Sequence, residues 1–113
     1  MKRNWDTVRA LLIAVESITD EHAVLNSQQV SGVDAVTATY HLRLMIEAGL
    51  IEGRCLPDAC IASRMTWAGH ELLDAIRRDG VWQQIKTVAR DSSVDLSLDL
   101  VKQIAVRVVG GMI

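Results

Sequence analysis

The sequence predicts an α+β fold, mainly helical, with helices on either side of one β-hairpin. Three observations predict it. Apolar residues recur at spacings of three and four along most of the chain. One helical stretch ends at Gly49 and runs directly into a short strand-like segment, and a second such segment follows Pro57-Asp58-Ala59.

The helical elements follow from their caps and stripes. Asn4 caps a first helix in which Trp5, Val8, Leu11, Leu12, Val15 and Ile18 form one apolar stripe. Thr19-Asp20-Glu21 breaks the pattern. His22 to Val30 alternates weakly, with Val24 inward, as a short strand or irregular link, and Ser31-Gly32 is turn chemistry. Asp34 caps a second helix through Ala48, and Gly49 supplies the positive φ that ends it while Leu50 folds back on the last turn. On this helix Ala35, Ala38, Leu42, Met45 and Ile46 face inward, and Thr39, Arg43 and Glu47 face outward with Val36 and Tyr40 beside them.

Leu50 to Leu56 and Ile61 to Thr66 read as the strands of a hairpin whose turn contains a proline with preset φ. Thr66 caps a helix from Trp67 to Arg78. Asp79-Gly80 separates this from a helix over Val81 to Arg90, with Trp82, Ile85, Val88 and Ala89 as its stripe. After Asp91-Ser92-Ser93, Ser97 caps a last helix to Val109, and Gly110-Gly111 release the tail. Residues 1–78 are read as the main domain and residues 79–113 as a helical extension packed on it in one globular unit.

Composition narrows the function. The 113 residues are half hydrophobic, enough for one core and for a surplus that a second copy would cover, so a homodimer is expected. Its face would be the apolar side of the last helix: Leu98, Val101, Ile104 and Val108. No stretch approaches the roughly 18 apolar residues of a membrane span, and the amphipathic start is not a signal-peptide core, so the chain reads as cytoplasmic. In a reducing compartment Cys55 and Cys60 are more often small apolar fillers than a disulfide, and three scattered histidines do not complete a zinc set. No metal or cofactor is expected. The net charge of −2 weighs mildly against nucleic-acid binding, which usually runs on basic surfaces.

The string from Tyr40 to Glu52, in which a helix stapled by Gly-Leu-Ile enters a hairpin, resembles the junction of recognition helix and wing in a winged helix-turn-helix. Arg64-Met65-Thr66-Trp67-Ala68-Gly69-His70 matches the return from the wing into the next helix. In that geometry double-stranded DNA would meet Thr37, Thr39, Tyr40 and Arg43 on the helix, with Arg54, Arg64, Lys2 and Arg3 on phosphates. Otherwise Arg43 pairs with Glu47 one turn away. His41 and His70 lack a nucleophile or acidic orienter at a recognisable spacing, so they read as packing or capping residues and no catalytic set is expected. Trp5, Trp67 and Trp82 read as the large core anchors of a chain without phenylalanine.

The blocks from His41 to Glu52 and from Thr66 to Arg77, together with the Met1–Asp6 start, resemble a bacterial and phage domain family of unknown function, built on small winged-helix proteins. Its members carry H-L-x-L-L-x-E-A-G-L-I-E and L-T-W-x-G-H-E-F-L-D-A-I-R blocks, and the likeness extends over nearly the whole chain. This chain departs from them in a shorter hairpin insertion and a less charged last helix. The resemblance implies a prophage or mobile-element setting. The resulting expectation is a DNA-binding regulator or accessory factor of transcription. Its alternative is an adaptor or inhibitor that binds a host or phage protein without touching DNA.

Overall fold

Helix α1 (Trp5–Glu16) starts where Asn4 leaves the helical region and its side-chain oxygen accepts the amides of Asp6 and Thr7, at 2.9 and 3.3 Å. In the computed structural model, which describes residues 1–111, its buried face is Val8, Leu11, Leu12 and Val15. The short strand β1 (Leu25–Asn26) is followed by one 3-10 turn, Ser27–Gln29. The weak alternation before it yields only this pair of strand residues, and Val24 points outward.

Helix α2 (Ala35–Glu47) is capped by Asp34, which accepts the Thr37 amide at 3.0 Å. That bond and the Thr37 hydroxyl, the larger influence, hold the Asp34 carboxyl below its ordinary range. At the other end the chain makes a Schellman closure. Gly49 adopts φ +75°, its amide bonds the Ile46 carbonyl at 3.0 Å, and the Leu50 amide bonds the Met45 carbonyl at 2.9 Å. The chain is thereby turned into strand β2 (Ile51–Leu56), which pairs antiparallel with β3 (Ala59–Met65) across Pro57-Asp58. With β1 also on β3, the sheet runs β1-β3-β2.

The pairing slips once, between Glu52 and Gly53, leaving Ser63 as the extra residue. Gly53 is required there because a Cβ would strike the Ile61 carbonyl. Cys55 and Cys60 stand directly opposite in the register and are joined as a disulfide. This corrects the expectation of two separate fillers. Cross-strand partners bring their Cβ atoms within bridging distance whatever the residues between them, and their Cα atoms lie 4.0 Å apart.

Helix α3 (Trp67–Ile76) follows β3 at once. Thr66 fixes this junction. Its amide bonds the Leu50 carbonyl at 3.0 Å, its hydroxyl donates to Gly49, and the same hydroxyl accepts the Gly69 amide at 3.1 Å. Backbone contacts divide the chain into two compact units, Met1–Glu71 and Leu72–Ile113, with the boundary inside α3. The core of the first joins the buried faces of α1 and α2 to Leu50, Ile51, Ala62 and Met65.

In the second unit α4 (Asp79–Asp91) packs with α5 (Leu98–Gly111). Asp79 and Gly80 form the first turn of α4 and do not separate two helices, because an acidic residue suits the positive end of a helix dipole. Helix α5 continues through Gly110 and Gly111, where a released tail is expected from sequence. Serine, not glycine, ends α4: Ser93 takes φ +56° while the Val94 amide bonds the Ala89 carbonyl at 3.0 Å. Among the described residues no helix is long and apolar enough to cross a membrane.

Candidate functional site

The outward face of α2 and the turn of the hairpin border one cleft of about 310 Å³, lined by Met1, Val36, Tyr40, Arg43, Pro57 and Asp58, with Thr39 at its base. Val36 is 67% exposed and Met1 65%, so the mouth of this cleft is apolar. The N-terminal arm reaches it because the Asn4 amide donates to His41 Nε2 at 2.8 Å. His41 Nδ1 lies 2.8 Å from the Thr37 carbonyl. A backbone amide can only donate and a carbonyl only accept, so the ring carries its proton on Nδ1. His41 is a buried clasp between arm and helix, in keeping with the packing role read from sequence.

The residues expected to read DNA are distributed differently. Thr37 and Tyr40 are half-buried on the outer side of α2, and Lys2, Arg3 and Arg54 are exposed. Arg3 lies over the Trp5 ring, 5.0 Å from its centroid. Thr39 is a correction. It is buried, and its hydroxyl donates at 2.7 Å to Ser27 Oγ, which also accepts the Cys60 amide at 2.9 Å. The 3-10 turn covers that side of α2, which helical spacing alone assigned to solvent. Arg43 does not pair with Glu47; its Nη2 donates to the Leu56 carbonyl at 3.0 Å and ties helix to hairpin. Arg64 is held bidentate by Glu52, at 2.7 and 2.8 Å across β2 and β3, so its charge is already met.

Two further corrections concern apolar groups. Val101, Ile104 and Val108 are buried in the fold and Leu98 is half-buried, so they are not a free dimer face; the outward apolar residues of α5 are Val106 and Val109. Trp67 is 80% exposed, not an anchor, whereas Trp82 is buried. Position explains the difference: Trp67 is the first residue of α3 and falls off the stripe of Leu72, Leu73 and Ile76.

A second hollow, about 590 Å³, lies between the end of α1 and β3, with Glu16, Asp20, Ser63, Arg64 and His70 on its rim. Among the described residues no three His, Cys, Asp or Glu side chains gather as a metal group, and no buried side-chain N or O lacks a partner.

Fold and cleft together define a mainly helical α+β protein with a small three-stranded antiparallel sheet. Residues 2–95 match the family described as "Hypothetical protein (DUF2513)", and the chain belongs to that family. It is similar to an "Uncharacterized protein" of Haemophilus influenzae (strain ATCC 51907 / DSM 11121 / KW20 / Rd), with 42% identity over 117 residues covering 100% of this chain and 99% of the relative. No solved structure matches it.

Proposed function

We propose that this chain is a winged-helix protein that docks another protein, of the host or of a phage, through the cleft between α2 and the hairpin turn. In this reading α2 stands where the recognition helix stands and β2–β3 is the wing. One observation carries it. The face that would read bases is an apolar cleft, and the one arginine of α2 donates to the Leu56 carbonyl. Charge agrees, because the unit Met1–Glu71 holds six basic side chains against nine acidic ones. Phosphate contacts supply most nucleic-acid affinity, and this unit lacks the surplus cations for them. The partner is therefore a protein surface with an apolar anchor and basic flanks.

The test compares surface variants. A protein retained by the immobilised wild-type chain in high salt should be lost with Val36→Asp and kept with Val106→Asp, a change at an equally exposed valine on α5. The opposite pattern, or equal loss from both, refutes the cleft. A second reading, a DNA-binding regulator, is favoured by the exposed Lys2 and Arg3 on an arm clasped to α2 and by the exposed Arg54 on the hairpin. A duplex gel shift that weakens steeply with salt and falls with Lys2→Ala and Arg54→Ala would replace the first reading with this one.

A further inference from the structure

We propose that the Cys55–Cys60 bridge is a thiol-exchange site with a fixed direction: small thiols attack Cys55, and Cys60 is the leaving and resolving sulfur. Three features converge on this. The bridge closes a loop of only a few residues that strand pairing and the Arg43–Leu56 bond already hold, so the fold does not depend on it. The two sulfurs differ in access, since Cys55 is half-exposed and Cys60 is completely buried. Their surroundings differ too. The Cys60 amide is anchored on Ser27 Oγ, and Cys60 Sγ lies 3.6 Å from the Thr39 carbonyl oxygen. A disulfide sulfur has no proton to give that carbonyl, whereas a thiol has, so a ready acceptor awaits the reduced Cys60.

The chemistry balances with a monothiol such as glutathione as co-reactant. Its thiolate attacks Cys55 Sγ, the Sγ–Sγ bond breaks, and the electron pair leaves on Cys60 Sγ, which ends as a thiol by taking up the proton that the attacking thiol shed. A second thiolate then attacks the mixed disulfide and releases Cys55. Two small thiols become one disulfide, and the protein gains two electrons and two protons. In reverse, oxidised glutathione is captured by the Cys55 thiolate, and Cys60 displaces the glutathione to restore the bridge. The site holds whether or not the neighbouring cleft binds a protein.

The experiment uses the full chain. Cys60→Ser and Cys55→Ser are treated with oxidised glutathione, and the adduct is followed by mass spectrometry. The adduct should form faster on Cys55 than on Cys60, because burial withholds the Cys60 thiol from the attacking disulfide. Because Cys60→Ser disturbs a buried position, the wild type is the second arm. After partial reduction with glutathione and rapid alkylation, peptide mapping should place the glutathione adduct on Cys55. Equal rates, an adduct on Cys60, or a bridge that survives excess reduced glutathione in the folded chain would overturn the proposal.

Discussion

Gly69 offers the sharpest test of how the first unit is built, because two physical effects predict opposite signs. It lies inside α3 with an ordinary φ, so helix propensity alone makes Gly69→Ala stabilising by about 1 kcal/mol. The structure says otherwise. A Cβ there would meet the Leu50 carbonyl oxygen and the Met65 side chain, and the first is backbone already engaged by the Thr66 amide. Overpacking of this kind costs about 1 to 3 kcal/mol. Losing the Thr66–Leu50 bond as the carbonyl yields adds about 1 kcal/mol. Set against the propensity gain, the net is a loss of about 2 kcal/mol, which in a unit of this size lowers Tm by about 10 °C. Urea and thermal unfolding of Gly69→Ala beside the wild type measure it. A midpoint at or above wild type would show that α3 does not press on the end of α2 as described.

Four further outcomes follow from individual side chains. Trp67→Ala should change stability by less than about 0.5 kcal/mol, as at other exposed sites, while Trp82→Ala should cost about 3 to 5 kcal/mol; equal losses by denaturant titration would contradict their placement. Ser27→Ala strands the buried Cys60 amide and Thr39 hydroxyl, a loss of about 1 to 3 kcal/mol that Ser27→Thr should partly recover if the hydroxyl is what matters. Ser93→Gly should stabilise by about 1 kcal/mol, since φ +56° is penalised for every residue with a Cβ, and an unchanged melting curve would refute it. For Asp34 the folded carboxyl lies below its unfolded range. Its contribution is therefore complete above the unfolded pKa and disappears as pH falls through the folded one. Asp34→Asn keeps a cap but cannot titrate, so unfolding measured from pH about 6 down to about 2 should show the wild type's advantage shrinking with acid.

How much of this was legible in the sequence depends on whether local chemistry or a distant neighbour decides each element. Asn4, Asp34, Gly49, Thr66 and Ser97 each carry a local signal, and each holds the cap or turn assigned to it. Where the signal was ambiguous, the expectation failed. Gly80 and Gly110 look like breakers but lie within helices, at a cost of roughly 1 kcal/mol each that the rest of the helix absorbs, and α5 extends to Gly111. Ser93 fails in the opposite sense: it occupies the place of a terminal glycine, which no composition rule would select.

The outward face of α2 was harder to read for a reason that applies beyond this chain. Periodicity finds the side of a helix that faces one core, but it cannot count how many other elements lean on the rest. Thr39 passed as exposed because the turn covering it begins at Ser27, twelve residues earlier in sequence, and its hydroxyl bond is visible only in space. Arg43 and Arg64 looked like two free positive charges. One is tied to a carbonyl thirteen residues away and the other to a carboxylate across the hairpin. Arg43 thus ties the hairpin turn to α2, and Arg64 ties β3 to β2. Arg43→Ala should therefore loosen the hairpin turn, with faster amide exchange around Leu56 to Asp58, while exchange in α1 stays unchanged. Wild-type exchange rates at the turn in that variant would mean that Arg43 is free after all and would restore it to the candidates for DNA contact.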